Sequence, residues 1–69
     1  MNRPVRTADV LVHNEGTVFL FCPLTPEAEQ WIKEHVRGDA TWFGNALVVE
    51  HRYVWRLAAG MRDAGLELE

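Results

Sequence analysis

Two short loops divide this chain and decide what it can become. His13-Asn14-Glu15-Gly16-Thr17 separates two runs rich in β-branched and aromatic residues, 9–13 and 17–22. Gly44-Asn45 separates Ala40-Thr41-Trp42-Phe43 from Ala46-Leu47-Val48-Val49. A short loop with glycine at its last position, where positive φ meets no Cβ clash, closes a hairpin, and Gly-Asn is a two-residue loop of the primed-turn kind. Each hairpin runs into a helical stretch. Pro23 ends the second strand, because proline cannot donate to a ladder. Thr25 then stands as an N-cap with Pro26 at the first helical position. Glu27 and Glu29 sit in the first turn, Lys33, His35 and Arg37 near the end, and Gly38 reads as a left-handed stop. Ala28, Trp31, Ile32, His35 and Val36 make one apolar stripe over 26–37. A second helix is expected from His51 to Ala64, with Tyr53, Val54, Leu57, Ala58, Met61 and Ala64 as its stripe. Gly60 weakens it by up to ~1 kcal/mol relative to alanine. Gly65 with Leu66 reads as its stop, and Leu66-Glu67-Leu68-Glu69 alternates as a short edge strand would.

The expected fold class is α+β: two successive ββα units forming one small antiparallel sheet, with two helices packed on one face. Residues 1–8, with Pro4 and no pattern, read as a flexible N-terminal arm, and 9–69 as a single domain. At 69 residues a folded chain buries only about 60% of its surface. That leaves no room for a doubly wound nucleotide-binding sheet, a barrel or a two-domain cleft. An apolar content of 48% argues against disorder. The alternation nevertheless creates a surplus. Val18, Leu20 and Cys22 fall on one face of their strand and Phe19 and Phe21 on the other, while Leu47 and Val49 oppose Ala46 and Val48. Two short helices cover one face. An uncovered apolar face marks an interface, so a homodimer or an obligate partner surface is expected, unless twist and the arm close over it.

Few side chains point to chemistry. The chain holds no serine, which excludes serine hydrolysis, and a single cysteine, which excludes an internal disulfide and a thiolate-rich metal site. Cys22 alternates with Val18 and Leu20 and is expected to be a buried, inert thiol. His13, His35 and His51 are too far apart in sequence to pair as metal ligands. His35 falls on the packed stripe, His13 beside a solvated turn, and Glu50-His51 at a helix start. There is no phosphate-binding glycine loop. No enzyme, no cofactor and no metal are therefore expected. No apolar run is long enough to cross a membrane, and the basic start lacks the apolar stretch of a signal peptide, so the expected compartment is the cytoplasm.

Two surfaces stand out against the net charge of −3. Trp31 and Trp42 fit core positions, but Trp55 falls roughly 130° from the centre of the second helical stripe. It shares the outer face with Arg52, Arg56, Ala59 and Arg62, a set able to stack a base, contact phosphates or anchor a protein. Separately, Glu27, Glu29, Glu34 and Asp39 lie on or just after the first helix, and Glu67 and Glu69 add to the acidic excess at the C-terminus. Spaced carboxylates on a rigid small fold can imitate duplex phosphates.

Val12-His13-Asn14-Glu15-Gly16-Thr17, Pro23-Leu24-Thr25-Pro26, Trp42-Phe43-Gly44-Asn45 and Val48-Val49-Glu50-His51-Arg52-Tyr53 resemble stretches of small uncharacterised proteins of bacteria and of their phages and plasmids, over about residues 10–66. In size and class, though not in motif, the chain is also similar to anti-CRISPR inhibitors of phage origin. That likeness implies a non-catalytic interaction protein acting by stoichiometric inhibition of a host nucleic-acid-handling complex. Glu27, Glu29, Glu34 and Asp39 would then contact its cations as an acidic DNA mimic. The alternative is a nucleic-acid-binding or regulatory module using Arg52, Trp55, Arg56 and Arg62, or a dimeric structural subunit.

Overall fold

Gly16 and Gly44 take φ values of +96° and +64°, the left-handed backbone that closes the two hairpins. Positive φ at Gly44 alone, with none at Asn45, is the type II′ pattern. At the first loop the Asn14 side chain closes the turn by accepting the Gly16 amide at 2.8 Å. The computed structural model describes residues 8–36 and 40–69. In chain order these form β1 (Val10–Asn14), β2 (Val18–Pro23), α1 (Pro26–His35), β3 (Thr41–Phe43), β4 (Ala46–Glu50) and α2 (His51–Asp63). This is the two-unit ββα plan. The hairpins join through β2 and β4, giving an antiparallel sheet in the order β1-β2-β4-β3.

Cross-strand partners share a face, so the register sorts the sheet. Val12 pairs with Phe21, Phe21 with Leu47, Phe19 with Val49 and Val10 with Pro23. Val10, Phe21, Leu47 and Val49 from this face join Ala28 and Ile32 of α1 and Met61 of α2 in one core cluster. Both helices therefore lie on the same face. Phe21, Ile32, Met61 and Val10 are the largest fully buried side chains, and each contributes roughly 1.5–3 kcal/mol by leaving water.

Thr25 caps α1 as its position predicts, its hydroxyl accepting the Ala28 amide at 3.2 Å. The same hydroxyl donates to Asp9 Oδ1 at 2.9 Å, and the other Asp9 oxygen accepts the Glu67 amide at 2.8 Å. One carboxylate thus ties the start of β1, the cap of α1 and the segment after α2. That segment leaves the helix through Gly65 at φ +88°. The Leu66 amide donates to Met61 O and the Gly65 amide to Arg62 O, the paired bonds of a Schellman stop. Leu68 then forms a parallel bridge to Val10, on the outer edge of β1.

Several expectations change. α1 ends at His35, two residues early, and its expected stop at Gly38 lies outside the described residues, as does Arg37. Of the expected arm, residues 1–7 lie outside them too, while Ala8 is buried. Trp42 is 45% exposed, because β3 is a three-residue edge strand and carries the indole to the rim of the core. His35, in the last turn of α1, is exposed rather than packed in the stripe. It stacks on Trp31 at 4.1 Å between ring centroids. Tyr53 and Ala64 are exposed as well, leaving α2 a narrower stripe of Val54, Leu57, Ala58 and Met61. Gly60 has a packing reason: a Cβ there would sit 3.2 Å from Trp31 Cζ2, so α1 reaches α2 across bare backbone.

Two stability predictions result. Asp9→Ala strips partners from the Thr25 hydroxyl and the Glu67 amide and is expected to lower unfolding free energy by about 1–3 kcal/mol, read by urea denaturation. Asp9→Asn keeps a carbonyl acceptor and should cost less. Gly60→Val overpacks the Trp31 contact and is expected to cost about 1–3 kcal/mol despite its better helix propensity.

Candidate interaction surfaces

The reverse face of the sheet carries Leu11, His13, Val18, Leu20, Cys22, Thr41, Phe43, Ala46, Val48 and Glu50, by the same register. None of them belongs to the core cluster. Leu11 is 43% and Phe43 72% exposed, Val18, Leu20, Cys22 and Val48 are half-buried, and the small Ala46 is buried. Cys22 is therefore not the buried thiol expected from its alternation. It sits on the open face with Sγ 3.9 Å from Asn45 Oδ1.

α2 presents the second surface. Trp55 is 80% exposed, the highest value among the large apolar side chains described. The four residues grouped from sequence do not share one groove. Trp55 and Arg62 wall a groove of about 500 Å³ between α2 and the C-terminal segment, floored by Phe19, Val54 and Leu68. Arg52 and Arg56 border a wider one of about 880 Å³ between the helices, beside Trp31 and Tyr53. Arg52 is already engaged: its Nε donates to Glu50 Oε1 at 3.2 Å and its guanidinium lies 5.1 Å from the Tyr53 ring centroid. Arg56 and Arg62 make no ion pair among the described residues.

The acidic set is dispersed. With 3.6 residues per turn, Glu34 returns to within about 20° of Glu27, while Glu29 points about 160° away. Glu27, Glu29 and Glu34 are all exposed, and Gln30 donates to Glu34 at 2.8 Å. Glu29 instead shares a shallow recess with Lys33, Pro23 and Trp42. Asp39 lies outside the described residues.

The histidines serve the frame. His13 donates to Glu15 at 2.9 Å on the exposed hairpin. Glu50 occupies the N-cap of α2 without a side-chain cap bond. His51 turns out of the helix, its Nε2–H donating to the Gly16 carbonyl at 2.6 Å and its ring meeting Phe19 edge-on at 5.0 Å. It pins the first hairpin loop to the start of α2. Among the described residues, no three His, Cys, Asp or Glu side chains gather where they could hold a metal, and no helix is long and apolar enough to cross a membrane. Comparison with known proteins finds no matching family model, no similar curated protein and no similar solved structure.

His51→Phe keeps an aromatic ring against Phe19 and deletes the bond to Gly16. Its expected cost is about 0.5–1.5 kcal/mol, with faster amide exchange confined to the Asn14–Val18 loop. Unchanged exchange there would show that the bond does not hold the loop.

Proposed function

We propose that the protein is a non-catalytic binding module whose contact surface is the outer arc of α2, and that its ligand is single-stranded nucleic acid. The observation that supports this is Trp55, an indole left 80% exposed. Leaving a large apolar side chain in water forgoes roughly 1.5–3 kcal/mol of burial. Aromatic side chains left in this way serve as anchors for partners. Arg56 adjoins Trp55 in sequence, and Arg62 shares its groove two helical turns on. An exposed ring takes the face of a base, and an unpaired guanidinium takes phosphate oxygens. The net charge of −3 limits the interaction to this one stripe rather than a general basic coat. Mimicry of a duplex by the acidic side chains has less support, because α1 turns Glu29 away from Glu27 and Glu34.

The test is fluorescence anisotropy of a labelled oligothymidine titrated with the protein at low and at high salt. Binding is expected to weaken as salt rises. Trp55→Ala is expected to weaken it about tenfold or more, and Arg56→Glu to weaken it and flatten its salt dependence. Absence of binding at low salt would overturn the reading.

A further inference from the structure

We infer that the groove between the two helices receives a further base of the same strand, so that a single-stranded nucleic acid crosses α2 from its Trp55 side to its Tyr53 side over Arg56. The inference rests on the reading of α2 as a nucleic-acid contact and adds a second base site to it. The order of side chains around the helix carries it. At about 100° per residue, Arg56 stands roughly 100° from Trp55, and Tyr53 stands roughly 60° beyond Arg56. Trp55 walls the groove beside the C-terminal segment, whereas Tyr53 and Arg56 line the groove toward α1. Arg56 thus lies between two aromatic side chains that border different grooves. Base, phosphate and base follow one another in that order along a strand laid across the helix.

The interhelical groove has the chemistry for a nucleotide. It holds about 880 Å³, within the roughly 300–1,000 Å³ of small-ligand sites. Leu47, Val49 and Leu57 make its lining apolar, and Trp31 and Tyr53 add ring surface. Trp31 is held by its stack on His35 and by the bare backbone of Gly60. Tyr53 stays 48% exposed even with Arg52 at 5.1 Å from its ring centroid. The charge of the lining is cationic. Among the described residues it has Arg52, Arg56 and one carboxylate, Glu50, which Arg52 already holds at 3.2 Å. Arg56 makes no ion pair among the described residues. A ligand that joins a flat ring to an anion meets both parts of this lining, and a nucleotide unit does so. Around a helix about 12 Å across, the path from Trp55 to Tyr53 covers roughly 17 Å, about five times the ~3.4 Å rise per nucleotide of a stacked strand. One nucleotide does not span that path, but a short oligonucleotide does.

The test is an NMR titration of the protein, isotope-labelled at its tryptophan indoles, with an oligothymidine of about twelve nucleotides at low salt. Trp31→Phe, Trp42→Phe and Trp55→Phe assign the three signals. Trp55 reports the first site and Trp31 the interhelical groove. Trp42, in the separate recess with Glu29 and Lys33, is the control. Trp55 and Trp31 are both expected to shift, and Trp42 to stay in place. Tyr53→Ala, at an exposed position, is expected to weaken binding of the same oligonucleotide about fivefold or more, to remove the Trp31 shift and to keep that of Trp55. A shift at Trp55 alone would overturn the inference and leave the α2 reading standing. Undiminished binding by Tyr53→Ala, or a Trp42 shift as large as that of Trp31, would do the same. Shifts at neither Trp55 nor Trp31 would overturn both.

Discussion

The pairing of β2 with β4 holds the molecule together. Each ββα unit alone is a two-stranded hairpin and one helix, and an isolated hairpin is marginal in water. The ladder from Val18–Glu50 to Phe21–Leu47 makes one sheet of two. It also sets Phe21, fully buried, beside Leu47, at 3% exposure, where α1 and α2 both close over them. Helices of ten and thirteen residues cover that face and no more. The open reverse face follows from chain length as much as from any particular side chain.

Polar contacts then set where each helix begins. Asp9 fixes the N-terminus of α1 through Thr25 and, through Glu67, the segment that follows α2. His51 fixes the N-terminus of α2 to the loop of the first hairpin. No buried side-chain polar atom among the described residues lacks a partner. These contacts lie at the margins of the core, where a carboxylate or imidazole keeps part of its hydration while directing the chain.

What was legible in the sequence was local. Glycine at positive φ, a threonine cap before proline, an apolar stripe and a glycine stop are each decided within a few residues, and the hairpins, helices and Schellman exit appear where those signals lie. What was not legible depends on distant partners. Asp9 meets residues 16 and 58 positions away, and His51 reaches back 35. No short-range pattern encodes them. Trp42 and His35 look like core residues by periodicity, and only the shortness of β3 and the early end of α1 leave them at the rim. Gly60 reads as a weak point until Trp31 is seen against it. At the candidate sites, helical angle alone placed Trp55 outside. The same arithmetic separates Glu29 from Glu27 and Glu34, a separation that grouping by charge conceals.

The strand order also governs how the chain reaches this state. Both hairpins and α1 close from near neighbours, on timescales of microseconds. The β2–β4 ladder must bring Phe21 to Leu47 across the 25 intervening positions, which include α1 and β3, and that closure entropy is spent before any core contact between the units repays it. Until that step, neither half holds an enclosed apolar interior. After it, both helices gain their floor at once. A molecule built this way has no stable half: loss of the central ladder dissolves both units together, and its unfolding is a single cooperative event.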